Sequence, residues 1–148
     1  MIAMHTVLLP VGTDLYAVPI EAVREVVAAP AVTRLVTAPA PLLGLINLRG
    51  EIVPLLDTAS LLGVGTIGTV SFATVMHTPY GPAALAVTSF PQRAELGSPT
   101  GPSELPGTTG TYQLEHQVAV LLDPAVLLAP ERLGATDLHA APPTAGIR

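Results

Sequence analysis

The chain has no cysteine, no tryptophan and no lysine. Each absence removes a class of chemistry. Without cysteine there is no disulfide framework, thiolate nucleophile or zinc–thiolate site, and the absence fits a reducing compartment. Without lysine there is no Schiff-base amine and no P-loop lysine. Six arginines face eleven acidic residues, and the formal net charge is −5. That sign excludes a phosphate backbone as the natural partner, and no basic patch for a membrane surface is present. Aromatic residues make up only 3% of the chain, so the core must be aliphatic. From Thr58 to Gln92 no charged residue occurs, yet Gly63, Gly65, Gly68, Pro79, Gly81 and Pro82 break that stretch into pieces too short for a spanning helix. Direct membrane insertion is therefore not expected. The N-terminal residues lack the basic start and long apolar segment of a signal peptide.

What is present is aliphatic. Apolar residues form 49% of the 148 residues, enough for one domain or for two small halves sharing a core. They fall in short runs between turn residues, the pattern of an all-β chain. "HTVLLPV" and "LYAVPI" flank Gly12-Thr13-Asp14 as a hairpin. Pro10 and Pro19 predict edge positions or strand ends. Ile20, Val23, Val26 and Val27 have helical spacing, which predicts one helical turn passing into a strand. "LLGLINL" and "EIVPLL" predict a second hairpin with Arg49-Gly50 at its tip. Further strands are expected at Val70–Thr78, Ala83–Thr88 and Gln117–Leu122. Pro91–Gly110 reads as loop, and the Ala/Pro-rich tail 135–148 as disordered. Strands with little charge on either face, as expected between Thr58 and Gln92, tend to be covered by something.

An internal echo organises these runs. "IVPLLDTASLL" (Ile52–Leu62) matches "VAVLLDPAVLL" (Val118–Leu128), and "YAVPIEAV" from Tyr16 weakly matches "ALAVTSFP" from Ala84. Two similar β halves account for this, each ending in a strand and a short helix. Asp57 and Asp123 then stand as helix N-caps, worth about 1 kcal/mol each. Pro124 suits a first helical position, and Gly63 a helix stop.

Catalytic readings meet specific obstacles. "LLDTAS" is close to the aspartic peptidase signature, in which two aspartates share a proton. Here Ala59 replaces the glycine of the active-site turn, and the second copy reads Asp123-Pro124. A dimeric aspartic peptidase built on Asp57 is thus the weaker alternative to capping. His5, His77, His116 and His139 show no metal-ligand spacing, so no metal and no cofactor is expected. "GVGTIG" follows a helix end rather than a strand, which fails the context of a dinucleotide loop.

One pattern remains. "YAVPIEAVREVVAAPAVTRL" followed by "PAPLLGLINLRGEIVPLLDTASLLG" resembles the CheW-like chemotaxis coupling proteins. Tyr16, Val23, Glu25, Val26, Thr33, Pro39, Gly44, Asn47, Leu48, Arg49, Gly50, Pro54 and Asp57 fall in the family's order and spacing. The match is good over residues 5–63, and "VAVLLDPAVLL" fits the closing strand and helix. The resemblance implies two small five-stranded SH3-like β-barrel lobes with short helices and a hydrophobic groove between them. The expected domain is 1–134, with a first lobe near 1–65 and a second near 66–134, exchange of strands between lobes being allowed.

The resemblance also implies a non-catalytic adaptor, cytoplasmic and peripheral to receptor arrays. It would couple methyl-accepting chemoreceptor cytoplasmic helices to the regulatory domain of a CheA-type histidine kinase, with CheW-like self or ring contacts also implied. The partner-binding residues would be Arg49, Glu25, Val23, Thr33, Leu43, Gly44 and Asn47. An adaptor in a pilus-motility or other chemosensory-like pathway is the sibling alternative, and a plain binding module with a single small barrel is another. Two departures stand out. The family's Asp-Leu-Arg is Asp57-Thr58-Ala59 here, and its second-half Val-Asp-x-Val-x-Glu-Val motif is reduced to "VTSFPQRAEL".

Overall fold

The computed structural model describes residues 3–35 and 40–129. The expected tail 135–148 and Pro39 lie outside them. Among the described residues, eleven strands form two antiparallel-rich sheets. Sheet 1 contains β1 (Met4–Val11), β2 (Asp14–Pro19), β9 (Gln92–Leu96), β10 (Thr108–Leu114) and β11 (Gln117–Leu122), in the order β10-β11-β2-β1-β9. Sheet 2 contains β3 (Val23–Ala28), β4 (Val32–Arg34), β5 (Leu42–Leu48), β6 (Glu51–Asp57), β7 (Phe72–Met76) and β8 (Ala83–Val87), in the order β3-β7-β8-β6-β5-β4. Helices α1 (Thr58–Leu62) and α2 (Pro124–Leu127) follow β6 and β11. The helical spacing after Pro19 yields a single 3-10 turn, Ile20–Ala22, before β3.

The strands do not sort by halves of the chain. β1 and β2 lie in the sheet of β9, β10 and β11, so a boundary near residue 65 separates neither sheet. The echo explains the exchange. β11 runs parallel to β2, and β6 runs parallel to β8. In each sheet, the strand that precedes a capped helix therefore pairs with the echo-related strand from the other half of the chain.

Pro19 ends β2 and Pro10 is next to last in β1, as expected of strand ends, and one loop reading is corrected. β1 is an interior strand, between β2 and β9, despite Pro10. Its pairing with β9 ends at Leu8, so Pro10 lies beyond that ladder and needs no N–H there. The Pro10 carbonyl accepts instead from the Thr88 N–H at 2.9 Å. Pro91–Gly110 is not all loop. It contains β9, an edge strand paired with β1, and Gly101 bridges Thr111 on the side of β10 away from β11.

Three apolar clusters follow from side-chain alternation along the strands. Ala17, Leu96, Tyr112 and Leu121 pack within sheet 1. Ile46, Val53, Leu55, Ala73, Val75, Ala84 and Ala86 pack within sheet 2. The largest cluster lies between the sheets. It joins Leu9 and Val18 of sheet 1 to Leu56 and Leu85 of sheet 2, and includes Leu61 of α1 and Leu127 of α2. The two lobes thus share one core rather than touching at a surface.

Candidate functional site

The hairpin β5–β6 closes through Arg49 and Gly50, both at positive φ, 53° and 88°. This is the two-residue turn whose twist suits adjoining strands, and it normally favours asparagine or glycine. The Asn47 Oδ1 accepts from the Gly50 N–H at 2.9 Å and braces it. An arginine in the left-handed region is uncommon. Its side chain supplies the reason, because it makes a fork-to-fork pair with Glu25: Nη1–Oε1 3.2 Å and Nη2–Oε2 2.6 Å.

Glu25 comes from β3, which sheet order separates from β6 by β7 and β8. Curling of the sheet brings this edge strand to the hairpin tip. A register shift in the β3–β7 ladder falls between Val23 and Glu25. The bulge sets Arg24 beside Glu25 instead of on the opposite face, as bulges re-aim side chains. Arg24 Nε lies 3.2 Å from Glu25 Oε2, and its Nη1 lies 2.7 Å from Glu51 Oε1. Four alternating charges therefore bridge β3 and the β5–β6 tip, and they sum to zero. Hydrogen bonding from Arg49 is the main cause that holds the Glu25 carboxyl below its usual range, and the same bond raises Arg49.

The second feature is a cleft along β2 and β11 of sheet 1 that reaches the segment after α1. It has a volume of about 560 Å³ and is lined by Tyr16, Leu105, Val118 and Val120 of the sheet 1 side and by Val64, just after α1. Thr13, Asp14 and Val64 also line a smaller depression of about 210 Å³ that reaches Ile67 and Thr88. Asp14 and His116 make the larger lining partly polar. Asp57 secures the wall. Its carboxylate accepts from the Ser60 N–H as the cap of α1, and from the Ile67 N–H at 3.1 and 3.0 Å. It is buried and committed to backbone donors. Asp123 caps α2 through the Ala125 N–H at 3.2 Å. Among the described residues no group of three or more His, Cys, Asp or Glu could hold a metal.

Residues 5–132 match the CheW-like domain family. The chain belongs to that family. Among solved structures it is similar to the scaffolding protein TtCheW from Thermoanaerobacter tengcongensis, with a TM-score of 0.74 at 21% identity over 86% of this chain and 88% of that one. A search of curated proteins finds no match. The fold is thus the two-lobed SH3-like arrangement expected from sequence, with five strands in one sheet and six in the other.

Within this CheW-like domain the seven residues expected to bind partners divide by environment. Arg49 and Glu25 meet, and Asn47 shapes their turn. Thr33 lies exposed on β4, opposite Leu45, and Gly44 lies opposite Arg34. Gly44 is buried, and a Cβ there would stand 2.5 Å from the Thr33 carbonyl oxygen. Its missing side chain permits the close approach of β4 to β5. Val23 packs towards the core between the sheets and Leu43 towards the core of sheet 2. Arg24 and Glu51 escaped the sequence reading. The signal was local: an arginine beside Glu25, and an acid directly after the Arg49-Gly50 turn. Thr58, at a family departure, is fully buried and donates its hydroxyl to the Ala86 carbonyl at 2.6 Å.

Proposed function

We propose that this CheW-like domain is a non-catalytic adaptor that couples chemoreceptor cytoplasmic helices to a CheA-type histidine kinase, in the cytoplasm at the edge of receptor arrays. The Arg49–Glu25 pair carries this reading. It holds a guanidinium 68% exposed at a hairpin tip, in a backbone conformation that a merely solvated turn would give to another residue. The kinase regulatory domain docks against sheet 2 around Thr33, Arg49 and Glu25, with Val23, Leu43 and Gly44 supporting that surface from within. The receptor helix tip lies in an apolar groove, a helix-in-groove mode, for which the cleft along β2 and β11 is the candidate. Service in a pilus-motility or other chemosensory-like pathway would use the same surfaces and differ only in which kinase is bound.

Arg49→Glu tests the reading. The reversed charge meets Glu25 inside the chain and unmatched groups on the partner, and like charges across an interface oppose binding. Binding of kinase regulatory and receptor cytoplasmic fragments should fall at least tenfold, a change of about 1.4 kcal/mol in binding free energy. The melting temperature should move by only a few degrees. Unchanged binding with unchanged melting removes Arg49 from the function.

A further inference from the structure

We propose that Arg24 and Glu51 are positioning residues for the Arg49–Glu25 surface, and that they set the partner specificity of this chain. The inference rests on the adaptor reading above. Three observations carry it. The bulge between Val23 and Glu25 gives β3 one residue more than its partner strand needs, and that residue is Arg24. Bulges of this kind re-aim side chains, and here the re-aimed guanidinium spans two carboxylates, Glu25 at 3.2 Å and Glu51 at 2.7 Å. The exposures then divide the labour. Arg24 and Glu25 have side chains 24% and 25% exposed, whereas Arg49 is 68% exposed. The first two form a platform, and Arg49 is what a partner meets.

The platform has a direction. Glu25 Oε2 accepts from Arg49 Nη2 and lies 3.2 Å from Arg24 Nε in an ion pair, so positive charge holds its carboxylate from two sides. Glu51 draws the far end of Arg24 towards β6. Remove either residue and Glu25 gains a rotational choice, and Arg49 rotates with it. Lysine would not reproduce this geometry, because Arg24 meets the two carboxylates through separate nitrogens of one rigid plane, Nε and Nη1, whereas an ammonium is a single point charge. Both charges of each sign are consumed within the network. A partner therefore gains from the orientation of Arg49 rather than from net charge, and a network held at a different angle would select a different partner face.

The test uses the full chain with nitrogen-labelled arginine side chains and the regulatory domain of a CheA-type kinase as probe. In the wild type the Arg49 Nε–H should be motionally restricted. Arg24→Gln should make it flexible, with an order parameter below about 0.6, and should weaken kinase-domain binding about tenfold while the melting temperature shifts by only a few degrees. Glu51→Gln should act in the same direction. With Arg49→Gln already present, Arg24→Gln should cause no further loss, because Arg24 acts only through Arg49. An Arg49 signal equally rigid in both single variants overturns the proposal. So do additive binding losses, which would mean that Arg24 touches the partner itself. If the wild type binds no kinase domain, the adaptor reading falls, and the side-chain signal still decides whether Arg24 and Glu51 position Arg49. Should Arg24→Gln unfold, Glu51→Gln, at a side chain 45% exposed, carries the same measurement.

Discussion

Thr74 has a fully buried hydroxyl with no hydrogen-bond partner among the described residues. It sits on β7 between Val26 and Leu85, where a methyl would suit its neighbours as well as oxygen does. Valine is its isostere, so Thr74→Val should raise stability by about 1 kcal/mol, the cost of an unsatisfied buried hydroxyl. The denaturant midpoint should rise at constant slope; a fall would mean that the hydroxyl is bonded. Tyr16 presents the opposite case, a buried polar group whose protonation matters. Burial, and then the charge of Asp14, push its phenol up to about 12 from an ordinary 10.0. A raised folded-state value means that the stabilisation is complete below pH 10 and is lost as pH rises from 10 through 12. The loss should reach about 3 kcal/mol. Alkaline unfolding of the wild type and of Tyr16→Phe checks this: the slope should flatten in the variant.

At the scale of elements, the two Asp caps look alike in sequence and differ in structure. Asp123 accepts one bond from its helix. Asp57 is 4% exposed and also holds the Ile67 N–H, and so the segment after α1. Capping alone would cost about 1 kcal/mol on truncation, which is the expectation for Asp123→Ala. Asp57→Ala should cost about 2–3 kcal/mol, because a partly buried N–H is left unpaired as well. Chemical denaturation should separate the variants, and hydrogen exchange should speed up at residues 64–68 only in Asp57→Ala. Equal costs would show that the Ile67 bond contributes nothing. The caps were legible because a cap is read by the next three residues of its own chain. The hairpins at Gly12-Thr13 and Arg49-Gly50 were legible for the same reason. β9 was not, because its five residues are mostly exposed and become a strand only by pairing with β1, more than 80 residues earlier. The bulge at Arg24 was hidden likewise, since it exists only relative to β7. The resemblance named Glu25 and Arg49 as partner-binding residues, but no local pattern joins residues 24 apart into a pair.

For the whole molecule, the shared core outweighs the two-lobed outline. Leu9, Val18, Leu56, Leu85, Leu122 and Leu127 belong to one cluster that draws on both sheets, and an aliphatic core of this kind unfolds as a unit. Thermal unfolding should therefore show a single transition by both backbone and tyrosine signals. A fragment ending at residue 65 should be unfolded, because β1 and β2 would lack β9 and β11, and β6 would lack β8. A stable β spectrum from that fragment would mean that each half folds alone.

The exchange of strands also imposes an order on biosynthesis. β1 and β2 leave the ribosome before the other described strands, yet their sheet neighbours β9 and β11 follow about 70 to 100 residues later. Every strand of sheet 2 lies between residues 23 and 87, so that sheet can pair while translation continues. At about 5–20 residues per second, the opening hairpin waits several seconds with its apolar side uncovered before β11 arrives. The early segment is the one that a nascent-chain chaperone would meet, and the closing strand acts as the latch that ends its exposure.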